Sequence, residues 1–69
     1  MQNYEILINW SQEDDCFVAA IPELKGCIAH GQSEYEALTN IIHAKELWIS
    51  TAKEYGEEIP KPSKELLFV

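Results

Sequence analysis

The sequence predicts an α+β fold in which three short strands precede one long helix and a fourth strand follows it. Apolar residues alternate with polar residues near the start of the chain, and apolar residues recur at three- and four-residue steps over roughly residues 34–55. Two prolines then precede a last apolar run. A period of two is typical of strands and the longer repeat is typical of helices. The predicted order of elements is therefore β-β-β-α-β.

The first two strands are predicted to form a hairpin. The polar residues 11–15 favour a turn, and the short apolar run 16–21 that follows is typical of a second strand. The first strand is predicted over residues 4–10, with one face formed by Tyr4, Ile6, Ile8 and Trp10.

A second tight turn is predicted between strands two and three. Pro22 fixes its own φ angle, and Gly26 permits backbone conformations that other residues avoid. The chain can therefore reverse between these residues and return as a third strand over residues 27–30. Gly31 is predicted to end that strand.

Capping signals mark both ends of the predicted helix. Ser33 and Glu36 match the S-x-x-E capping box, in which the Glu side chain reaches back to the amide of the capping residue. Gly56 stands where a left-handed residue ends a helix. The apolar stripe between these ends consists of Leu38, Ile41, Ile42, Trp48, Ile49 and Ala52.

The residues after the helix predict a fourth strand over residues 64–69. Pro60 and Pro62 prevent the helix from continuing, because proline lacks an N–H donor. A crossover through the helix most simply places strand four parallel to strand one, which gives the sheet order 3-2-1-4. One helix covers only one face of the sheet. The uncovered apolar face therefore predicts a homodimer or a larger homo-oligomer.

Length and charge limit the function further. A chain of 69 residues predicts a single domain over residues 1–69. Its net charge is −7 and it contains no Arg, so direct binding of nucleic acid is not expected. An acidic surface suits a basic protein partner, although it also keeps a protein soluble. We find neither a leader sequence nor an apolar run of about 20 residues, which predicts no membrane contact and a cytoplasmic location.

The cysteines and histidines do not predict a metal site or a disulfide. Cys27 and His30 are three residues apart on a strand, so their side chains point to opposite faces. A hairpin that turns at residues 22–26 pairs Cys27 with about Ile21. Cys16 then lies five residues further along the strand, roughly 17 Å from Cys27, whereas a disulfide needs about 6 Å between Cα atoms. We expect two free thiols, no metal and no cofactor.

No catalytic set is predicted. Nucleophilic catalysis needs a base beside a Ser or Cys and a third group that orients the base. Ser33 is explained by its capping role, and His43 lies on the polar side of the helix. Acids in a hairpin loop are most often only solvated.

Lys45 is unusual because it falls in the middle of the apolar stripe of the helix. Its aliphatic stem can cover apolar surface while the ammonium group reaches the edge of the sheet. The alternative is an ion pair with an inward acid such as Glu5. The first interpretation is favoured.

The sequence resembles the HicB antitoxin family from about residue 4 to residue 69. Three motifs in order carry the resemblance: the Pro-x-Leu-x-Gly-Cys turn, the Ser-x-x-Glu-Ala helix start and the Ile-Pro-x-Pro-Ser helix exit. Their structural residues are Pro22, Gly26, Ser33, Glu36, Gly56, Pro60 and Pro62.

The resemblance implies a degenerate ribonuclease H-like fold without nuclease carboxylates. It also implies a partner, a small HicA-like toxin that cleaves messenger RNA. This sequence departs from the family pattern at Cys16, where Gly is usual, and at Lys45, where an aliphatic residue is usual. Many family members also carry an operator-binding module, and no such segment is evident here, so operator binding is not expected.

Three functions are therefore considered. The first is a toxin-binding antitoxin, the second is a stand-alone oligomeric binding protein without a toxin, and the third is a residual nuclease. A cluster of carboxylates that could hold two metal ions is missing from the sequence pattern, which disfavours the nuclease. For the antitoxin, the acids predicted to meet a basic partner are Glu13, Asp14, Asp15, Glu57 and Glu58.

Overall fold

The computed structural model describes residues 4–60 of the chain. The predicted fourth strand over residues 64–69, and Pro62 of the helix exit, lie outside the described residues. The described part is an α+β fold with a three-stranded antiparallel sheet and one long helix. The elements are β1 (Leu7–Ser11), β2 (Cys16–Ala20), β3 (Ile28–Gly31) and α1 (Glu34–Glu54).

The strands form a meander in the order β1-β2-β3, and both pairs are antiparallel. This confirms the three-strand part of the predicted order. Ala19 of the central strand is fully buried and pairs with Ile8 on one side and with Ala29 on the other. Residues directly opposite each other share a face, so these three side chains lie on the face that α1 covers.

The first strand begins at Leu7, later than the sequence predicts, and Trp10 near its end is half-exposed. Tyr4, Ile6 and Ile8 contribute to the core as expected, but Trp10 is 49% exposed. Its ring packs edge-on against Phe17 with centroids 5.1 Å apart. The helix packs chiefly on β3 and only slightly on β1, so the end of β1 extends beyond the surface that the helix covers. Trp10 therefore shares the predicted face with Ile8 but lies beyond the part of that face that the helix covers.

The turn between β2 and β3 matches its prediction. Gly26 adopts a positive φ of 79°. The amide of Ile21 donates to the carbonyl of Cys27 over 3.1 Å, which is the pairing that the sequence register predicts. Leu24 donates to Ile21 and accepts from Cys27, both over 3.0 Å, and its side chain is buried. The turn is therefore held by its backbone and anchored in the core.

The helix begins and ends at the predicted residues. The Ser33 hydroxyl accepts from the amide of Glu36 over 3.0 Å. The Glu36 carboxylate accepts from the amide of Gln32 over 2.5 Å, one residue before the capping residue that the motif predicts. At the other end Gly56 has a φ of 70°, and the amide of Glu57 donates to the carbonyl of Ala52 over 2.8 Å. This bond pattern is a Schellman motif.

The core lies between α1 and the covered face of the sheet, and the stripe predicted for the helix is confirmed. Ile41 and Ala52 are buried, while Leu38, Ile42, Trp48 and Ile49 pack partly buried against the core. The hydroxyl of Tyr4 donates to the carbonyl of Pro60, which joins the segment before β1 to the segment after α1. The buried core cluster consists of Tyr4, Ala19, Ile21, Leu24, Cys27, Ala37 and Ile41.

Gly31 has a role that the sequence prediction missed. It is the last residue of β3, and the first turn of α1 lies directly against it. A Cβ atom placed on Gly31 would lie 2.4 Å from the backbone nitrogen of Ala37. The absence of a side chain is therefore what allows the helix to start so close to the sheet. Within residues 4–60, no helix is long and apolar enough to cross a membrane.

Candidate functional site

A surface groove lies between the turn that joins β2 to β3 and the C-terminal half of α1. Its volume is about 670 Å³. Two exposed apolar side chains, Ile28 and Leu47, line it together with buried and half-buried residues. Its charged residues are Lys25, Glu57 and Glu58. The remaining lining is Gly26, Cys27, Ala44, Trp48, Thr51 and Ala52.

Two hydrogen bonds hold the walls of this groove in place. The indole N–H of Trp48 donates to the carbonyl of Lys25 over 2.9 Å, which ties α1 to the turn. The bond from the amide of Glu57 to the carbonyl of Ala52 fixes where the chain leaves the helix. These two bonds therefore hold both walls of the groove in place within the fold.

Cys27 lies at the base of the turn, buried in the core and against the groove. Burial raises the pKa of its thiol above the ordinary value of 9.0, and the positive charge of Lys45 partly opposes this rise. Lys45 is half-buried. This position agrees with the favoured interpretation, in which its stem covers apolar surface. The structure also agrees with the prediction that Cys16 and Cys27 are free thiols.

The raised pKa of Cys27 predicts a loss of stability in alkaline solution. The unfolded thiol ionises first as the pH rises, whereas the folded thiol stays protonated. The contribution of Cys27 to stability is therefore complete below about pH 8.5 and declines as the pH rises through the raised folded pKa. Urea unfolding between about pH 7 and pH 10 measures this decline.

The matched control for this prediction is Cys27→Ala, which removes the thiol and leaves the other ionisable groups in place. The difference in unfolding free energy between the wild type and this variant should shrink at alkaline pH. A difference that stays constant over the whole pH range would show that Cys27 ionisation does not contribute.

The hairpin acids lie in the exposed loop between β1 and β2. The Ser11 hydroxyl accepts from the amide of Asp14 over 3.2 Å and lies 3.3 Å from the Asp14 carboxylate. Nε2 of His30 lies 3.9 Å from the same carboxylate, with both side chains more than half exposed. Asp15 adopts a positive φ of 53°, which Asp tolerates better than most residues. The loop is structured, and Glu13, Asp14 and Asp15 are exposed in it.

The structure separates the five acids of the predicted partner site into two groups. His30, beside the hairpin acids, pairs with Val18 near the end of β3. Ile28, beside Glu57 and Glu58 in the groove, begins β3. The two groups therefore lie toward opposite ends of β3, and whether either group binds a partner stays a prediction.

Sequence reasoning missed the two exposed apolar residues of the groove. Leu47 is 69% exposed, and it falls outside the apolar stripe of the helix. An apolar residue off the stripe is the signal that could have identified it. Ile28 is 54% exposed because it points to the face of the sheet that α1 does not cover. Its exposure follows from its pairing with Ala20 in the sheet register.

Other candidate residues lie where the sequence predicts. Cys27 is buried in the core and His30 is exposed, so they do not share a site. His43 is on the exposed side of α1. Among residues 4–60, no group of three or more His, Cys, Asp or Glu side chains could hold a metal ion.

Taken together, these features describe a small acidic α+β domain with an apolar groove and two groups of surface carboxylates. The sequence model of the family described as the HicB-like antitoxin of bacterial toxin-antitoxin systems matches residues 4–66. The chain belongs to this family, as the three sequence motifs predicted.

Two relatives extend the comparison. The chain is similar to the UPF0150 protein ssl0259 of Synechocystis sp., with 38% identity over 93% of this chain and 86% of the relative. It is also similar to the UPF0150 protein Ta0767 of Thermoplasma acidophilum, with 35% identity over 96% of this chain and 94% of the relative. Both matches cover nearly the whole of each protein.

Proposed function

We propose that this protein is an antitoxin that binds and neutralises a small HicA-like, mRNA-cleaving toxin through protein-protein contacts. The match of the antitoxin family over residues 4–66 is the observation that carries the proposal. The net charge of −7 and the exposed carboxylates support it, because a protein that binds RNA presents a basic surface. The antitoxin would cover that surface and exclude the RNA.

This function requires the antitoxin to bind the toxin, and it does not require the antitoxin to catalyse a reaction. We therefore propose that the protein is not an enzyme and that its own contacts do not include nucleic acid. We also propose that residues 1–69 form a single domain with a fourth strand and a degenerate ribonuclease H-like fold, and that the protein is cytoplasmic. The stand-alone oligomer and the residual nuclease are the alternatives that experiments must exclude.

The proposal predicts a short open reading frame for a basic protein beside this gene, and co-expression with that neighbouring protein tests it. The neighbouring protein alone should arrest growth and reduce cellular mRNA, and co-expression of this chain should restore both. The two proteins should also purify together. If they do not bind each other, the stand-alone oligomer becomes the better function. Metal-dependent cleavage of RNA by this chain would favour the nuclease instead.

Neutralising the hairpin acids is expected to slow association with the neighbouring protein. The variant Glu13→Gln, Asp14→Asn and Asp15→Asn removes three exposed charges while keeping similar side-chain shapes. Exposed charges mainly guide the encounter, so the association rate should fall about tenfold at low salt, with a smaller change in dissociation rate. Both rates should be measured across a salt series.

The salt series supplies the control for this prediction. The wild-type association rate should decrease as salt screens the charges, and the rate of the triple variant should depend less on salt. A wild-type rate that is independent of salt would contradict electrostatic guidance by these acids.

We also propose that the protein is at least a dimer. Leu7, Ala20 and Ile28 lie opposite one another in the sheet register, on the face that α1 does not cover. Leu7 and Ile28 are exposed there. The association of two such faces would remove apolar surface from water.

Light scattering tests this proposal at high micromolar concentration. The wild type should have at least twice the mass of one chain. Leu7→Lys should shift the protein toward the monomer, whereas Tyr35→Lys, at an exposed helix position, should not. A monomeric wild type would refute the dimer.

A further inference from the structure

The groove between the β2–β3 turn and α1 combines an apolar lining with carboxylates at its border. We propose that it is the docking site for a basic, amphipathic segment of the toxin. An apolar side chain of that segment would pack against Leu47 and Trp48, and a Lys or Arg beside it would meet Glu57 and Glu58. This inference rests on the proposed function, since it identifies where the partner of the antitoxin binds.

The size and lining of the groove favour an apolar side chain as its occupant. Its volume of about 670 Å³ falls within the range of roughly 300–1,000 Å³ that is typical of binding pockets. Leu47 is 69% exposed, so it retains apolar surface that a partner would bury. Apolar residues at the centre of an interface contribute most of its binding energy.

The charges of the groove favour a basic partner. Glu57 and Glu58 are adjacent and exposed, and neither forms an ion pair among residues 4–60. With Lys25, the groove lining carries one more negative charge than positive charges. A basic segment would be attracted to this surface.

The walls of the groove are also held in place before a partner binds. The Trp48–Lys25 hydrogen bond and the Schellman motif before Glu57 position its walls within the described fold. A preformed surface loses less conformational entropy on binding than a surface that must first become ordered. The hairpin acids lie in an exposed loop and do not line this groove, so their expected role is limited to the encounter.

The rate at which variants dissociate from the neighbouring gene product tests whether the docking site is the groove or the hairpin. The first variant is Leu47→Ala, with Tyr35→Ala as its control because Tyr35 is a 79% exposed apolar residue on the same helix. The second is Glu57→Gln with Glu58→Gln. Its control is Glu13→Gln with Asp15→Asn, which removes the same number of charges from the hairpin.

Both groove variants should dissociate about tenfold faster than the wild type. Leu47 becomes a buried contact in the complex, and the docked Lys or Arg would cover Glu57 and Glu58, so that their ion pairs are removed from water and must break on dissociation. Both controls should remain within about twofold of the wild-type dissociation rate. If wild-type binding is present but the groove variants dissociate no faster than their controls, the groove is not the docking site and the antitoxin function stands. If the wild type does not bind, the proposed function fails and this inference fails with it.

Discussion

Replacing Gly31 with alanine is expected to remove more than half of the protein's stability. The new Cβ would lie 2.4 Å from the backbone nitrogen of Ala37 and 2.8 Å from its Cα atom. These are backbone atoms of a helix, so the clash cannot be relieved by rotating a side chain. Overpacking typically costs 1–3 kcal/mol, and we expect about 3 kcal/mol here because the helix itself must move. A domain of this size has a total stability of only about 5 kcal/mol.

Thermal unfolding followed by circular dichroism measures this effect. A loss of about 3 kcal/mol corresponds to a decrease in Tm of roughly 12–24 °C for a domain of this size. The control is Gly26→Ala, where no atom lies within 4 Å of the added Cβ but φ is 79°. That variant carries only the strain of a left-handed residue, about 1 kcal/mol. A Gly31→Ala variant as stable as the control would refute the close contact.

Replacing Leu24 with alanine is expected to have the second large effect. The side chain is 1% exposed and is one of the largest fully buried side chains in the described core. Truncating a buried Leu to Ala costs 2–5 kcal/mol, and we expect about 3 kcal/mol. The residue also stands at the centre of the turn beside the groove. Its loss should therefore weaken the groove as well as the core.

Urea unfolding provides the measurement, with Ile28→Ala as the control. Ile28 follows the same turn but is 54% exposed, so its truncation should cost less than about 1 kcal/mol. A similar cost for the two variants would mean that Leu24 is not an anchor of the core.

Much of the fold could be predicted from the sequence because the signals are local. Ser33 and Gly56 bound the helix through bonds to residues within one or two turns. Gly26 adopts the left-handed conformation that a tight turn favours. The apolar repeat of the helix predicts which side is buried, since a regular helix places residues three and four apart on one face. None of these features depends on distant parts of the chain.

The candidate site was predictable only in part. The sequence identified Glu57 and Glu58 as exposed acids after the helix, and Glu13, Asp14 and Asp15 as acids of a hairpin loop. It could not show that the two groups lie toward opposite ends of β3. It also could not show that the first group borders an apolar groove.

The sequence by itself determined the order and type of the described elements, the caps of α1, the β2–β3 turn and the family of the protein. The tertiary structure alone decided that Trp10 is half-exposed, that Gly31 must lack a side chain and that Ile28 and Leu47 border one groove. The physical reason is the range of the interactions. Caps and turns arise from hydrogen bonds between near neighbours in the chain, whereas exposure and close approach depend on where α1 packs on the sheet.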